Sequence, residues 1–418
     1  MAEDVGRGAR EDVALEFFSG IGGFHYALRA ARPRARVARA FDVDDVATRV
    51  YAANFGAAAA VSALDVCHLD AGALNRLGAG LWMLSPPCQP YTRQGNGLGA
   101  DDARAGGLAH LTRLLAADEL EPPDRLLMEN VVGFESSQSR DALVGALRAR
   151  GFAIRELWLS PVHVGVPNQR TRYFLLARRA RVAPCRAPSA GIDEAGGASA
   201  PVEAEARAPP AWPSHPLLDA HELAPWDAGA GRPLPDLPRG CVCVVRQLRE
   251  FLEPAGGDAD AGTGADAPSV TLPVHAALPA AAPRAAAAAL DASRAGAVPV
   301  PVALTARYGR MLDVVCATSA HSGCFTKNYA RYVKGTGSVL AAHVEREEVL
   351  ADADNAARAG WGLRYFTPRE IANLHGFPRG DAFAFPADVP LRKRYNLLGN
   401  SLSVDVVAEL LRHLYETP

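Results

Sequence analysis

Cys88 is a thiol set where a thiol can act as a nucleophile. The residues Leu81-Trp82-Met83-Leu84 read as a short buried strand, and Ser85-Pro86-Pro87 ends that strand on a stiff turn. In an open α/β sheet the carboxyl edge of the strands is where ligands bind. A buried free cysteine more commonly serves as a small hydrophobe, so the chain must supply partners. Two segments do so. Glu129-Asn130-Val131 sits just after a second apolar run, Leu126-Leu127-Met128, which sets a carboxyl on the same sheet edge as the thiol. That carboxyl suits an acid/base partner or a structural cap. Gln169-Arg170-Thr171-Arg172 precedes a third run, Tyr173 to Ala177. Strand alternation sends Arg170 and Arg172 to one side, where two guanidinium groups bind an anion, polarise a carbonyl or face solvent.

A second constellation lies upstream. Val13 to Phe18 reads as a strand, Ser19-Gly20-Ile21-Gly22-Gly23 as a turn, and Phe24 to Ala31 as a helix. The glycines let a ligand approach the backbone, and the helix start offers free N–H groups. Asp42 ends the next strand, Val37 to Phe41. An acid about twenty residues past a glycine turn commonly holds ribose hydroxyls. Asp65, in Ala63-Leu64-Asp65-Val66, follows a possible third strand and is either an adenine contact or a surface acid. The turn lacks a Lys-Ser/Thr pair, so nucleoside triphosphate hydrolysis is excluded. From these residues the cofactor is NAD or S-adenosylmethionine.

Such residues need a scaffold. Strand-like and helix-like stretches alternate over 13–180, the mark of an α/β domain with a mostly parallel sheet. Asp141 to Arg150 is helical and ends at Gly151, and Val404 to Tyr415 reads as a closing helix. Between about Ala183 and Val300 the chain turns rich in Ala, Pro and Gly and should be largely loop or disordered, with Ala280 to Ala292 the extreme. One island there, Val244 to Leu252, reads as an amphipathic helix. The 418-residue chain carries a net charge of −2, so any nucleic-acid partner must be held by local patches. Its seven cysteines show no paired CxxC zinc spacing, and Cys241 and Cys243 have no matching cluster. An odd cysteine count, a polar N-terminus and no apolar run of spanning length fit a protein of the cytoplasm or nucleus, without a membrane partner.

Five motifs, in order, resemble the cytosine-C5 methyltransferase superfamily: Phe17-Phe18-Ser19-Gly20-Ile21-Gly22-Gly23, Pro86-Pro87-Cys88-Gln89-Pro90, Glu129-Asn130-Val131, Gln169-Arg170-Thr171-Arg172 and Gly399-Asn400-Ser401-Leu402. Cys324-Phe325-Thr326-Lys327, with Asn328-Tyr329, Gly335 to Leu340 and Tyr365 to Leu374, is similar to the branch that methylates cytosine 38 of transfer RNA. The resemblance implies a Rossmann-like, class I methyltransferase fold with a small inserted target-recognition subdomain. It implies catalytic segments at 13–183 and 363–418 and a recognition region at 301–362; the Ala/Pro-rich insertion at 184–300, which also holds the start of the recognition region, is longer and richer in Ala and Pro than the family pattern and departs from it. The cofactor it implies is S-adenosylmethionine, lined by Phe18, Ile21, Gly22, Gly23, Asp42, Val43, Asp65, Ser85, Asn400 and Ser401. Cys88 is then the nucleophile, with Glu129, Arg170 and Arg172 around the base.

Cys324, Phe325, Thr326, Lys327 and Arg331 are expected at the substrate. Arg307, Arg310, Lys327, Arg331 and Lys334, interleaved with Tyr308, Phe325, Tyr329 and Tyr332, suit a looped RNA better than a long duplex. The expected partner of this monomer is the aspartate transfer RNA, with weak DNA binding beside it. The competing functions are a DNA cytosine-C5 methyltransferase and an RNA-binding protein with vestigial catalysis.

Overall fold

The computed structural model describes residues 10, 12–56, 60–87, 106–179, 211–223, 245–253, 297–350 and 354–416. Its central sheet has seven strands: β1 (Val13–Phe17), β2 (Arg36–Phe41), β3 (Val61–Ser62), β4 (Leu81–Leu84), β5 (Arg125–Val131), β6 (Phe152–Leu159) and β7 (Arg172–Arg179). They lie in the order β3-β2-β1-β4-β5-β7-β6, and β7 alone runs against its neighbours. The chain leaves β1 toward β2 and β3, then returns to build β4 and β5 on the other side. The β1/β4 junction is therefore a topological switch point, where a crevice opens at the carboxyl ends.

The helices are α1 (Gly23–Ala31), α2 (Asp45–Phe55), α3 (Ala71–Leu77), α4 (Gly106–Ala116), α5 (Gln138–Ala149), α6 (Pro216–His221), α7 (Val302–Tyr308), α8 (Asn355–Ala359), α9 (Pro368–Leu374), α10 (Leu391–Asn400) and α11 (Val404–Tyr415). Alternation along β1 sends Leu15 and Phe17 into the core beneath α4 and α5, and Ala14 into the core shared with α1, α2 and α11. α11 packs directly on α1, so a helix near the end of the described residues completes the layer that α1 begins.

A three-stranded sheet, β8 (Val314–Val315), β9 (Val339–Ala341) and β10 (Leu363–Tyr365), forms the smaller subdomain. Phe325, Tyr329, Phe366 and Tyr395 pack edge to face beside it. No helix among the described residues is long and apolar enough to cross a membrane.

Three details differ from the sequence reading. Residues 245–253 form no amphipathic α-helix, only a single 3-10 turn, Leu248–Glu250. The backbone explains it: Arg246, Leu248 and Arg249 donate their amides to Gly165, Ser319 and Ala317 of neighbouring segments, so tertiary pairing replaces helical bonds. A second ordered island, 211–223, lies on β6, with Leu218 buried and Arg155 paired to Asp219 and Glu222. The extreme alanine run falls outside the described residues. Finally, Glu129 belongs to β5 itself rather than following it.

Candidate active site

A cleft of about 510 Å³ opens at the carboxyl edge around β1, β2, β4 and β5. Its first wall is the turn after β1. Phe18 adopts a left-handed backbone (φ 58°), which is uncommon for a bulky residue and marks a functional turn. Gly20 (φ 52°) has nothing within 4 Å of where a Cβ would sit, so its backbone faces the cleft openly. Ile21 and Gly23 also line it.

Gly22 was expected at the cofactor, but the structure turns it inward. A Cβ there would come within 2.3 Å of the Phe55 ring, so this glycine serves close packing. The start of α1 is not free either. The Phe24 and His25 amides face the carboxyl of Glu16, a fully buried residue that also accepts a 2.9 Å hydrogen bond from the Tyr51 hydroxyl. Burial, opposed by Tyr51, pushes Glu16 up to about 8. Its sequence signal was a carboxyl interrupting an apolar strand.

The second wall follows β2. Asp42 receives the Gly20 amide on Oδ2 (2.7 Å) and the Asp44 amide on Oδ1 (2.8 Å), so it braces the glycine turn as well as lining the cleft. Burial raises its carboxyl above the ordinary range, against these amides. Val43 is 70% exposed at the rim, an apolar side chain presented outward. Asp65 lines the cleft and caps a 3-10 turn through the Cys67 amide.

The third wall is the proline turn. Ser85 donates its hydroxyl to the Phe18 carbonyl (2.9 Å), joining this turn to the first. Asn130, fully buried at the end of β5, donates to the Pro86 carbonyl (3.4 Å). Pro86 and Pro87 line the cleft, and Cys88 lies outside the described residues.

Glu129 and Arg172 meet at the cleft with Arg172 Nε 3.3 Å from Glu129 Oε1. Because β7 is antiparallel to β5, Arg172 pairs opposite Val131 and stands diagonal to Glu129. Burial pushes the Glu129 carboxyl above its ordinary value, with Arg172 and Arg170 pulling the other way. The two arginines do share a side, but they do different work. Arg170 donates to the carbonyls of Phe325 (2.9 Å), Gly399 (3.0 Å) and Ser401, so it pins the segment after α10 to the Cys324–Phe325 loop.

Both arginines reach Cys324 Sγ, Arg170 at 3.3 Å and Arg172 at 3.8 Å. Burial raises this thiol, and the two guanidinium groups outweigh it and bring it below its ordinary value. Phe325, expected to touch substrate, is instead 1% exposed in the aromatic cluster, as is Tyr329 at 4%. Thr326 and Lys327 are half-buried and their backbone packs on Gly399, where a Cβ would fall 2.2 Å from the Lys327 backbone nitrogen. Asn400, Ser401 and Leu402 complete the cleft from the far end of the chain. Arg331 is exposed, its guanidinium over the Tyr332 ring at 5.2 Å, and Arg307 lies likewise over Tyr308 at 5.0 Å.

The sequence motifs singled out neither Asp44, which lines the cleft, nor His375, a fully buried ring that burial and the two arginines hold well below its ordinary value. An acid at a helix start was the available signal for Asp44.

A family model described as C-5 cytosine-specific DNA methylase matches residues 13–190 and 315–416. A tRNA (cytosine(38)-C(5))-methyltransferase of Rattus norvegicus is 34% identical over 96% of this chain and 98% of its own length. The Homo sapiens protein of that name is 33% identical with the same coverage. A Dictyostelium discoideum relative named DNA (cytosine-5)-methyltransferase is 28% identical over 96% of this chain and 93% of its own. The crystal structure of the S. pombe Dnmt2 methyltransferase aligns with a TM-score of 0.65 at 26% identity, covering 96% of this chain and 97% of that one.

Proposed function

This chain belongs to the family of C-5 cytosine-specific DNA methylases, and we propose that the cytosine it methylates is carried by transfer RNA, at position 38 of the aspartate anticodon loop. The observation that carries the RNA reading is full-length similarity to relatives named for that reaction. The Cys324 to Lys327 loop, packed on the cleft wall close in sequence to the exposed Arg331–Tyr332 pair, supports it.

The cleft residues fit S-adenosylmethionine. Gly20 leaves room for close backbone approach, Asp42 offers a carboxyl to ribose hydroxyls, and exposed Val43 offers an apolar face to adenine. Phe18, Ile21, Gly23, Asp65, Ser85, Asn400 and Ser401 would hold the remainder. When bound, this cofactor supplies the methyl group.

The chain's own residues do the rest. The target base leaves its stack to enter the cleft. The Cys88 thiolate adds to C6, forming a C–S bond and making C5 nucleophilic. Glu129 holds N3 and the exocyclic amine and gives N3 its proton as the adduct forms. Arg172 holds Glu129 in place and reaches toward the base carbonyl. After C5 is methylated, its proton leaves to a base, the C6–S bond breaks, Cys88 departs as thiolate and Glu129 recovers its proton. The product is 5-methylcytosine.

The test is methyl transfer from radiolabelled S-adenosylmethionine to total transfer RNA and to duplex DNA, with wild type and Cys88→Ala side by side. Label in transfer RNA, lost in the variant and mapped to cytosine 38, is expected. Label mainly in DNA would overturn the RNA reading.

A further inference from the structure

The turn after β2 and the end of α10 line the cleft from opposite ends of the chain, and an ion pair between Asp44 and Lys393 joins them. On the first wall a relay of short contacts begins at the glycine turn. Gly20 donates to Asp42, the Asp44 amide donates to the same carboxylate, and Asp44 in turn caps α2 through the Val46 (3.0 Å) and Ala47 (3.1 Å) amides. The free oxygen of Asp44 then receives Lys393 Nζ at 2.6 Å. Lys393 lies on α10, whose later residues Leu397, Gly399 and Asn400 form the opposite wall. Lys393 does not itself line the cleft. Burial would raise the Asp44 carboxyl, yet Lys393 and the capping amides hold it below its ordinary value.

We propose that Lys393 is a positioning residue for cofactor binding: through Asp44 it locks the ribose-side turn against the helix that carries Asn400. The proposal rests on the S-adenosylmethionine reading of the cleft given above. Its physical basis is preorganisation. A ligand that touches both walls binds more weakly when it must itself hold them together. The pair is about one-third exposed on each side, so its effect is modest and screened by salt.

A second ion pair offers a built-in comparison. Arg49 on α2 meets Asp388, just before α10, at 2.6 Å, and so ties the same two parts of the chain. Neither residue lines the cleft. If Lys393 only docked the closing segment, removing Arg49 would have the same consequence.

The experiment is calorimetric binding of S-adenosylmethionine to the full chain at low salt, for wild type, Lys393→Met, Lys393→Arg and Arg49→Met. Lys393→Met should weaken binding about three- to tenfold, Lys393→Arg should restore most of it, and Arg49→Met should stay within twofold. Raising salt should narrow the gap between wild type and Lys393→Met. In turnover the loss should fall on KM for the cofactor rather than on kcat. Equal binding by wild type and Lys393→Met would overturn the proposal, as would equal weakening by Arg49→Met or no recovery with Lys393→Arg. A wild-type chain that does not bind S-adenosylmethionine would overturn the cofactor reading and this one with it.

Discussion

Arg172 Nε stands 3.3 Å from Glu129 Oε1 at the meeting point of two antiparallel strands. Each side chain is mostly buried, 17% and 12% exposed, so the contact is shielded from bulk water at the cleft floor. A carboxyl held this way is oriented by its partner while burial favours its protonated form. That combination suits a group that gives a proton to a ring nitrogen and takes it back.

Glu129→Gln should therefore abolish most methyl transfer while preserving shape. A loss of about 10²-fold or more is expected in single-turnover label transfer. Cofactor binding, measured by calorimetry, should change little. Activity within tenfold of wild type would remove Glu129 from the proton-transfer role.

Arg172→Met should change the chemistry of Cys324. The thiol is brought below its ordinary value by Arg170 and Arg172 against burial. Removing one guanidinium should raise it, leaving less thiolate near neutral pH. Alkylation by iodoacetamide, followed peptide by peptide by mass spectrometry, should then be several-fold slower at Cys324. An unchanged rate would mean Arg170 alone governs the thiol.

Gly20 and Gly22 should respond differently to alanine. At Gly22 a Cβ meets the Phe55 ring at 2.3 Å with φ 87°, so Gly22→Ala should destabilise the fold by roughly 2–5 kcal/mol. At Gly20 the Cβ enters open cleft space with φ 52°, for a backbone strain of about 1–2 kcal/mol. Gly20→Ala should stay folded in a urea titration and lose cofactor affinity. Equal destabilisation of both would contradict the inward and outward assignment.

Glu16 should make stability fall as pH rises. Burial lifts its carboxyl from 4.5 to about 8 in the folded chain. Across that window the folded state holds a proton that the unfolded state has lost. The slope opposes folding by up to about 1.4 kcal/mol per pH unit. The contribution is fully present below the unfolded value and lost on passing the folded one. Urea unfolding from pH 5.5 to 8.5 should show this slope in wild type and a flatter one in Glu16→Gln. Parallel curves would mean Glu16 does not titrate there.

Much of the scaffold was legible because its signals are local. β4 and α11 were bounded correctly from their apolar patterns, and the glycine and proline turns were marked by residues with restricted or unusual backbone freedom. The β6 strand was missed because Arg155 and Glu156 break its apolar run, and 245–253 was misread because its backbone bonds go to segments far along the chain. Phe325 and Tyr329 looked like surface aromatics amid basic residues, and only the packing of Phe366 and Tyr395 over them shows a core.

The sequence by itself determined which groups are present and which strand ends they lie near: the acid after β2, the acid toward the end of β5, the arginines at the start of β7, the small residues that let backbones meet. Residue type, φ preference and apolar period are properties of a short stretch, and a short stretch reports them. Tertiary structure alone decided which groups share a site. The antiparallel return of β7 brings Arg172 to Glu129. The packing of α11 against α1 sets Ser401 and Leu402, just before α11, on Gly23. These contacts span tens to hundreds of residues and depend on strand order and direction, which no local pattern encodes.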